Sequence, residues 1–114
     1  MKRLDIIVPH EYLPDVNDIL RKHKVGGMSF YDVKGRGRAK HEPVTVGRGV
    51  ISYVPEFASR TKVEVVVSDS LVKGIVGDVL KAFGNGTLAI GKIFVCDIAE
   101  AYDIGTKVQG DSAL

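Results

Sequence analysis

Thr61-Lys62-Val63-Glu64-Val65-Val66-Val67, running into Ser68-Asp69, is the stretch that decides the fold. Its β-branched residues suit a pleated, half-buried surface. Lys62 and Glu64 alternate with Val63, Val65 and Val67, so a strand with one apolar face is predicted over 61–67. Ser68-Asp69 supplies an N-cap, and Leu71, Val72, Ile75, Val76, Val79, Leu80 and Phe83 then recur at helical spacing as far as Gly84. Gly74 and Gly77 weaken that helix but permit close packing.

Working outward, a glycine-rich turn over 84–91 leads into Lys92-Ile93-Phe94-Val95-Cys96-Asp97-Ile98, a further strand. The tail from Gly105 carries no pattern. On the other side, residues 34–60 hold Gly35, Gly37, Pro43, Gly47, Gly49 and Pro55, a long punctuated loop with a weak ribbon around 50–54. Unstructured loops of that length in a small domain are usually functional or disordered. Before it, residues 28–33 alternate as a strand. A helix over 11–24 carries Leu13, Val16, Ile19 and Leu20 on one side, with Pro14 in its first turn and a basic end that suits the helix dipole. The chain opens with a strand over 3–8, Leu4, Ile6 and Val8 facing one way, stopped by Pro9.

The order is strand, helix, strand, long loop, strand, helix, strand. That is an α+β, ferredoxin-like split βαβ sandwich (βαββαβ), with a four-stranded antiparallel sheet and two helices on one face. The other face is expected to show Ile7, Tyr31, Val66 or their neighbours to water, and uncovered apolar sheet argues for an oligomer.

With 114 residues, 45% apolar and 26% charged, the chain makes one small domain, residues 1–114. Sixteen Lys and Arg against fourteen Asp and Glu leave +2, too balanced for a protein that coats nucleic acid or anionic membrane. Cys96 has no internal disulfide partner, and one thiol with His10, His23 and His41 scattered along the chain builds no metal site. Asp5 and Pro9 interrupt any leader-like apolar run, and no stretch reaches the ~18 apolar residues of a membrane span. A cytoplasmic protein, with no nucleic acid and no membrane insertion, is the reading.

Lys34-Gly35-Arg36-Gly37-Arg38-Ala39-Lys40 gathers cations and flexible backbone where an anion could dock, Arg48 adding a fifth cation and Glu42 the one acid over 34–48. The plainer alternative is a solvated loop. Gly86-Thr87-Leu88-Ala89-Ile90-Gly91-Lys92 fits the first seven positions of a P-loop, but Ile93 replaces the magnesium-binding Ser or Thr and the turn precedes a strand. Lys92 can still meet a phosphate as a point charge. No acid–base pair emerges from Asp97 and Asp103, and Cys96 has no matched histidine, so no enzyme is predicted.

Three stretches resemble the PII signal-transduction family of nitrogen regulators: Gly27-Met28-Ser29-Phe30-Tyr31-Asp32-Val33-Lys34-Gly35-Arg36-Gly37-Arg38, Lys62-Val63-Glu64-Val65-Val66-Val67-Ser68-Asp69, and Gly91-Lys92-Ile93-Phe94-Val95-Cys96-Asp97-Ile98-Ala99. The resemblance runs over nearly the whole chain. It implies a homotrimer with ATP or ADP in clefts between subunits, AMP being an alternative. It also implies a T-loop, about 35–60, that regulates a target such as an ammonium transporter or a nitrogen-assimilation enzyme, with a C-terminal tail over about 105–114. Carried over by position, Ile7, Gly27, Ser29, Glu64 and Val66 would surround adenine and ribose, and Gly35, Gly37, Arg38, Gly91 and Lys92 would hold phosphates. Arg60 stands where the family commonly has a lysine, and Tyr53 aligns with a tyrosine that some members uridylylate, a candidate modification site.

The departures point elsewhere. Ala39 replaces a glutamine that helps bind magnesium and 2-oxoglutarate, so sensing of that acid is not implied for this chain. Asp103 and Gly105 replace two arginines that reach the phosphates across the interface, which weakens a triphosphate more than a monophosphate. A divergent PII-like regulator of carbon or bicarbonate metabolism, answering to AMP, ADP or a cyclic nucleotide, is the alternative. A metal-binding trimer of the CutA kind is a remote one.

Overall fold

A computed structural model describes residues 1–38, 44–47, 51–53, 56–87 and 90–114, with 44–46 and 51–53 as backbone. Six strands and two helices follow in the order β1 (Lys2–Val8), α1 (Leu13–Lys22), β2 (Ser29–Gly35), β3 (Val44–Val46), β4 (Ile51–Tyr53), β5 (Ala58–Val67), α2 (Asp69–Phe83) and β6 (Lys92–Asp97). Four of them form one sheet in the order β2-β5-β1-β6, every neighbouring pair antiparallel. With both helices against one face, this is the expected βαββαβ plan.

Period-two alternation places the core. Leu4, Ile6 and Val8 of β1 and Val63, Val65 and Val67 of β5 are buried on one face, in a register that sets Leu4 opposite Val65 and Ile6 opposite Val63. Val16 and Leu20 of α1 and Ile75 and Val79 of α2 cover them. The helices meet where a Cβ on Gly74 would come within 2.8 Å of the His23 ring, so glycine is what admits that ring. His23 Nε2 then lies 2.7 Å from Asp78 Oδ2, with Lys22 Nζ at 3.2 Å from the same oxygen. Tyr12 stacks flat on Phe83, centroids 4.8 Å apart.

Several boundaries shift for local reasons. The first helix begins at Leu13 rather than Glu11, because residues 10–12 form a tighter 3₁₀ turn ahead of Pro14, and it stops at Lys22. Lys24 then takes a left-handed conformation, φ 58°, that turns the chain back. Ser68 occupies the N-cap of α2 in an extended conformation but makes no side-chain cap bond. Asp69, in the first turn, instead accepts the N-terminal ammonium of Met1 at 2.8 Å. The strand expected over 61–67 starts three residues earlier, because Ala58, Ser59 and Arg60 pair with the end of β2. Within the long loop, the weak ribbon proves to be Ile51–Tyr53 paired with Val44–Val46; Val50 and Val54 lie outside the described residues.

The segment without a sequence pattern takes a defined shape, and one expectation is corrected. The tail from Gly105 is ordered: Tyr102 bridges Gln109, Asp103 N–H donates to the Val108 carbonyl at 2.8 Å, and Gly110 N–H to that of Ala101 at 2.8 Å. The Asp103 carboxylate accepts Thr106 N–H at 2.9 Å, and a 3₁₀ turn follows over Gly110–Ala113. Side-chain caps of this kind leave no hydrophobic period to read. The uncovered face of the sheet is also not mainly apolar. Its centre holds Arg3, Asp5, Lys62 and Glu64, with Ile7 and Val66 half-buried beside them and Tyr31 exposed.

Candidate functional site

The register distributes the expected site residues between the two ends of the sheet. Ser29 lies opposite Glu64 and Gly35 opposite Ala58, so β2 begins at one end and finishes at the other. β1 runs alongside in the same sense as β2, with Lys2 opposite Val67 and Val8 opposite Thr61. Gly27, Ser29, Glu64 and Val66 therefore share the first end. Ile7, Gly35, Gly37, Arg38, Arg60, Gly91 and Lys92 belong to the second. At ~3.3 Å per residue, Val66 and Arg60 are ~20 Å apart along β5.

The first end is concave. After α1 the left-handed Lys24 directs residues 25–28 across the end of the sheet, and together with the last residues of β5 they enclose a cleft of about 670 Å³. Val25, Met28, Val65, Val67 and Leu71 give it apolar walls, and Ser29, Glu64 and Arg3 stand on its rim. The C-terminal residues Asp111, Ala113 and Leu114 close the remaining side, the Leu114 backbone passing within 4.0 Å of where a Cβ on Gly26 would lie. All four first-end residues expected from the resemblance thus line one cleft. Ile7, grouped with them on sequence, does not; it sits at the opposite end, between Lys62 and Lys92 in the cross-strand row.

The rim is held by an ion network. Arg3 Nε donates to Asp5 Oδ1 at 2.9 Å and Arg3 Nη2 to Asp5 Oδ2 at 3.2 Å. Lys62 Nζ lies 4.0 Å from Asp5 Oδ2 and 3.5 Å from Glu64 Oε1. Tyr31 Oη donates to that same Glu64 oxygen at 2.7 Å. Asp5 is 5% exposed, and two cations plus its hydrogen bonds are what make a carboxylate tolerable there. The Lys62 ammonium is held above its usual range, first by the adjoining Tyr31 hydroxyl, with Asp5 and Glu64 adding to the effect.

The second end is cationic and open. Gly91 presses on β1 so closely that a Cβ there would be driven into the Ile7 carbonyl oxygen, which fixes Lys92 at the mouth of β6. Arg60 Nη1 donates to its neighbour's carbonyl, that of Ser59, at 2.9 Å, and a groove of about 350 Å³ lies among His10, Asp32, Lys34, Ser59 and Arg60. Gly37 and Arg38 follow β2 and are exposed; Arg36 pairs with Glu56 at 3.0 Å across the base of the long loop. Gly35 and Lys92 lie on opposite edge strands of the sheet, so one copy of the chain does not gather the phosphate group around a single point.

Chemically, the first end offers apolar walls with two carboxylates, Glu64 and Asp111, and two cations, Arg3 and Lys24, suited to a flat ligand that donates hydrogen bonds. The second end offers the cations. In one chain the two ends are about 20 Å apart, so no single point of the chain combines apolar walls with those cations. The Asp103 carboxylate is tied to the backbone of its own turn: Thr106 N–H holds its carboxyl below the usual range. Ala39, Lys40, His41, Glu42, Arg48, Gly49, Leu88 and Ala89 lie outside the described residues, as does the Tyr53 side chain, although its backbone pairs with Val44. Among the described residues no group of three or more His, Cys, Asp or Glu is placed to hold a metal ion.

Sequence reading missed Arg3 on the rim, Asp5 and Tyr31 as the groups that hold Arg3 and Glu64 there, and the C-terminal residues altogether. The opposite charges of Arg3 and Asp5 against Lys62 and Glu64 were a usable signal once the register was known. Asp111, Ala113 and Leu114 gave none.

Comparison with known proteins accords with this geometry. A family model described as nitrogen regulatory protein P-II matches residues 1–108. The chain is 34% identical to nitrogen regulatory protein P-II of Klebsiella oxytoca and 34% identical to nitrogen regulatory protein P-II 1 of Escherichia coli K12, each match covering 114 residues and all of both chains. Among solved structures it is similar to GlnK of B. subtilis, with a TM-score of 0.77 at 27% identity, covering 99% of this chain and 97% of that one.

Proposed function

The chain belongs to the nitrogen regulatory protein P-II family, and from that premise we propose that it is a regulator that binds adenine nucleotide between copies of itself. Three copies in a ring would set each cleft, with Gly27, Ser29, Glu64 and Val66, against the cationic end of a neighbour, with Gly35, Gly37, Arg38, Arg60, Gly91 and Lys92. Adenosine fits the first by its apolar faces and its donors; the phosphates fit the second by charge. The division of these residues between opposite ends of one sheet is the observation that carries the proposal. Occupancy at Arg38 would bias the conformation of the 35–60 loop, which a target protein, such as an ammonium transporter or an enzyme of nitrogen assimilation, reads in the cytoplasm.

A second reading is favoured by Asp103. Its carboxylate is tied to Thr106, and neither it nor Gly105 brings a cation to a neighbour's phosphates. AMP or ADP then binds better than ATP, and the metabolite under control is as readily carbon or bicarbonate as nitrogen.

Calorimetric titration of the full chain with ATP, ADP and AMP, with ATP repeated in magnesium and 2-oxoglutarate, separates the two. Tight ATP binding that strengthens with 2-oxoglutarate supports a nitrogen sensor despite Ala39. Preference for AMP or ADP with indifference to the acid supports the second reading, and no binding of any nucleotide overturns both.

A further inference from the structure

We propose that Tyr31 is a positioning residue for ligand capture: it pins Glu64 as the hydrogen-bond acceptor on the rim of the cleft, so that the rim selects a nucleoside by its hydroxyl or amino donors. The proposal rests on the nucleotide reading above.

Tyr31 lies on the edge strand β2, facing the uncovered side of the sheet, and two residues diagonally removed from Glu64 on β5, whose direct partner is Ser29. Its hydroxyl reaches across and donates to Glu64 Oε1 at 2.7 Å. Lys62 Nζ approaches that same oxygen at 3.5 Å and rides over the Tyr31 ring, 5.7 Å from its centroid. Both contacts fall on Oε1. Among the described residues no contact falls on Oε2, whose lone pairs face a donor in the cleft that Glu64 lines.

A hydroxyl-to-carboxylate hydrogen bond is among the stronger neutral-to-charged contacts and is directional. A glutamate on a strand has three rotatable bonds and, 33% exposed, would otherwise sample several rotamers. Tyr31 removes that freedom before a ligand arrives, which is preorganisation rather than contact. The ring also shields Lys62 from solvent, and Lys62 in turn is anchored towards Asp5 at 4.0 Å, so the rotamer of Glu64 is tied through Lys62 to the most buried charge of the sheet.

The test is calorimetric titration of the full chain with adenosine, AMP and ADP, comparing the natural protein with Tyr31→Phe, Glu64→Gln and the double variant. Tyr31→Phe keeps the ring over Lys62 and is expected to leave the melting temperature unchanged. It should weaken all three ligands alike, by about threefold to tenfold, because the lost bond acts on the nucleoside end. In the Glu64→Gln background the same change should add nothing further, a non-additivity that a merely structural role would not produce. Unaltered affinity in Tyr31→Phe, or full additivity with Glu64→Gln, overturns the inference while leaving nucleotide binding intact. A natural protein that binds none of the three overturns the nucleotide reading and this inference with it.

Discussion

The two faces of β1 and β5 are made from alternating residues of the same two strands, yet they obey different rules. The face under the helices holds Leu4, Ile6, Val63 and Val65, all at or below 2% exposure, and its only demand is volume. The other face sets Arg3, Asp5, Lys62 and Glu64 in the equivalent positions, where each group needs a partner of opposite sign within ion-pair distance. A closed face of this kind specifies that the chain folds. An open face of charges already matched to one another specifies how its rim is shaped, and it leaves the apolar contacts near Ile7 and Val66 for whatever packs beside them.

Substitutions sharpen that contrast. The largest effect is expected from Ile6→Ala, which empties a fully buried site between β5, β6 and the helices; unfolding in urea should show a loss of about 2–5 kcal/mol. The equivalent truncation on the other face, Asp5→Ala, removes a partner shared by Arg3 and Lys62 but opens no aliphatic core. It should cost about 1–3 kcal/mol in the same measurement and should also loosen the cleft rim. If Asp5→Ala proves as costly as Ile6→Ala, the open face is part of the folding core and the distinction fails.

The smallest effect is a pH dependence carried by groups outside both faces. Asp78 is held below the usual carboxylate range first by His23 and then by Lys22, Asp69 by the N-terminal ammonium, and Asp103 by Thr106 N–H. A carboxyl with a lower value in the folded state than in the unfolded one contributes stability that is fully present above its unfolded value. That stability is lost as pH falls through the folded value. Melting temperature should therefore be flat from neutrality down to the ordinary carboxylate range and decline below it. Asp78→Asn should make the decline shallower, and an identical acid profile in that variant would remove the His23 contact between the helices from the account.

Much of the fold was legible because its signals are local. The alternation over 61–67, the helical spacing from Leu71 to Phe83 and the break at Pro9 each report a period or a punctuation that any short window contains. The boundaries that moved did so where a tertiary partner intervened: β5 lengthened because Ala58, Ser59 and Arg60 found β2. The ordered tail was illegible because Asp103 and Ala101 hold it by hydrogen bonds to Thr106 and Gly110, which leave no periodic trace. For the candidate site, position in the chain says nothing of which end of a sheet a residue reaches, so only the register shows that Ile7 stands at the opposite end of the same sheet from Gly27 and Ser29.

The sequence by itself determined the order of elements, the side of each strand that turns inward and the family, because alternation, helical spacing and motif identity are properties of neighbouring residues. Only the tertiary structure decided that Glu64 meets Tyr31, that Asp5 lies between Arg3 and Lys62, and that the candidate site residues divide between two ends of the sheet. Those follow from the antiparallel register of β1, β2 and β5, which is fixed when all the strands pack at once under the helices.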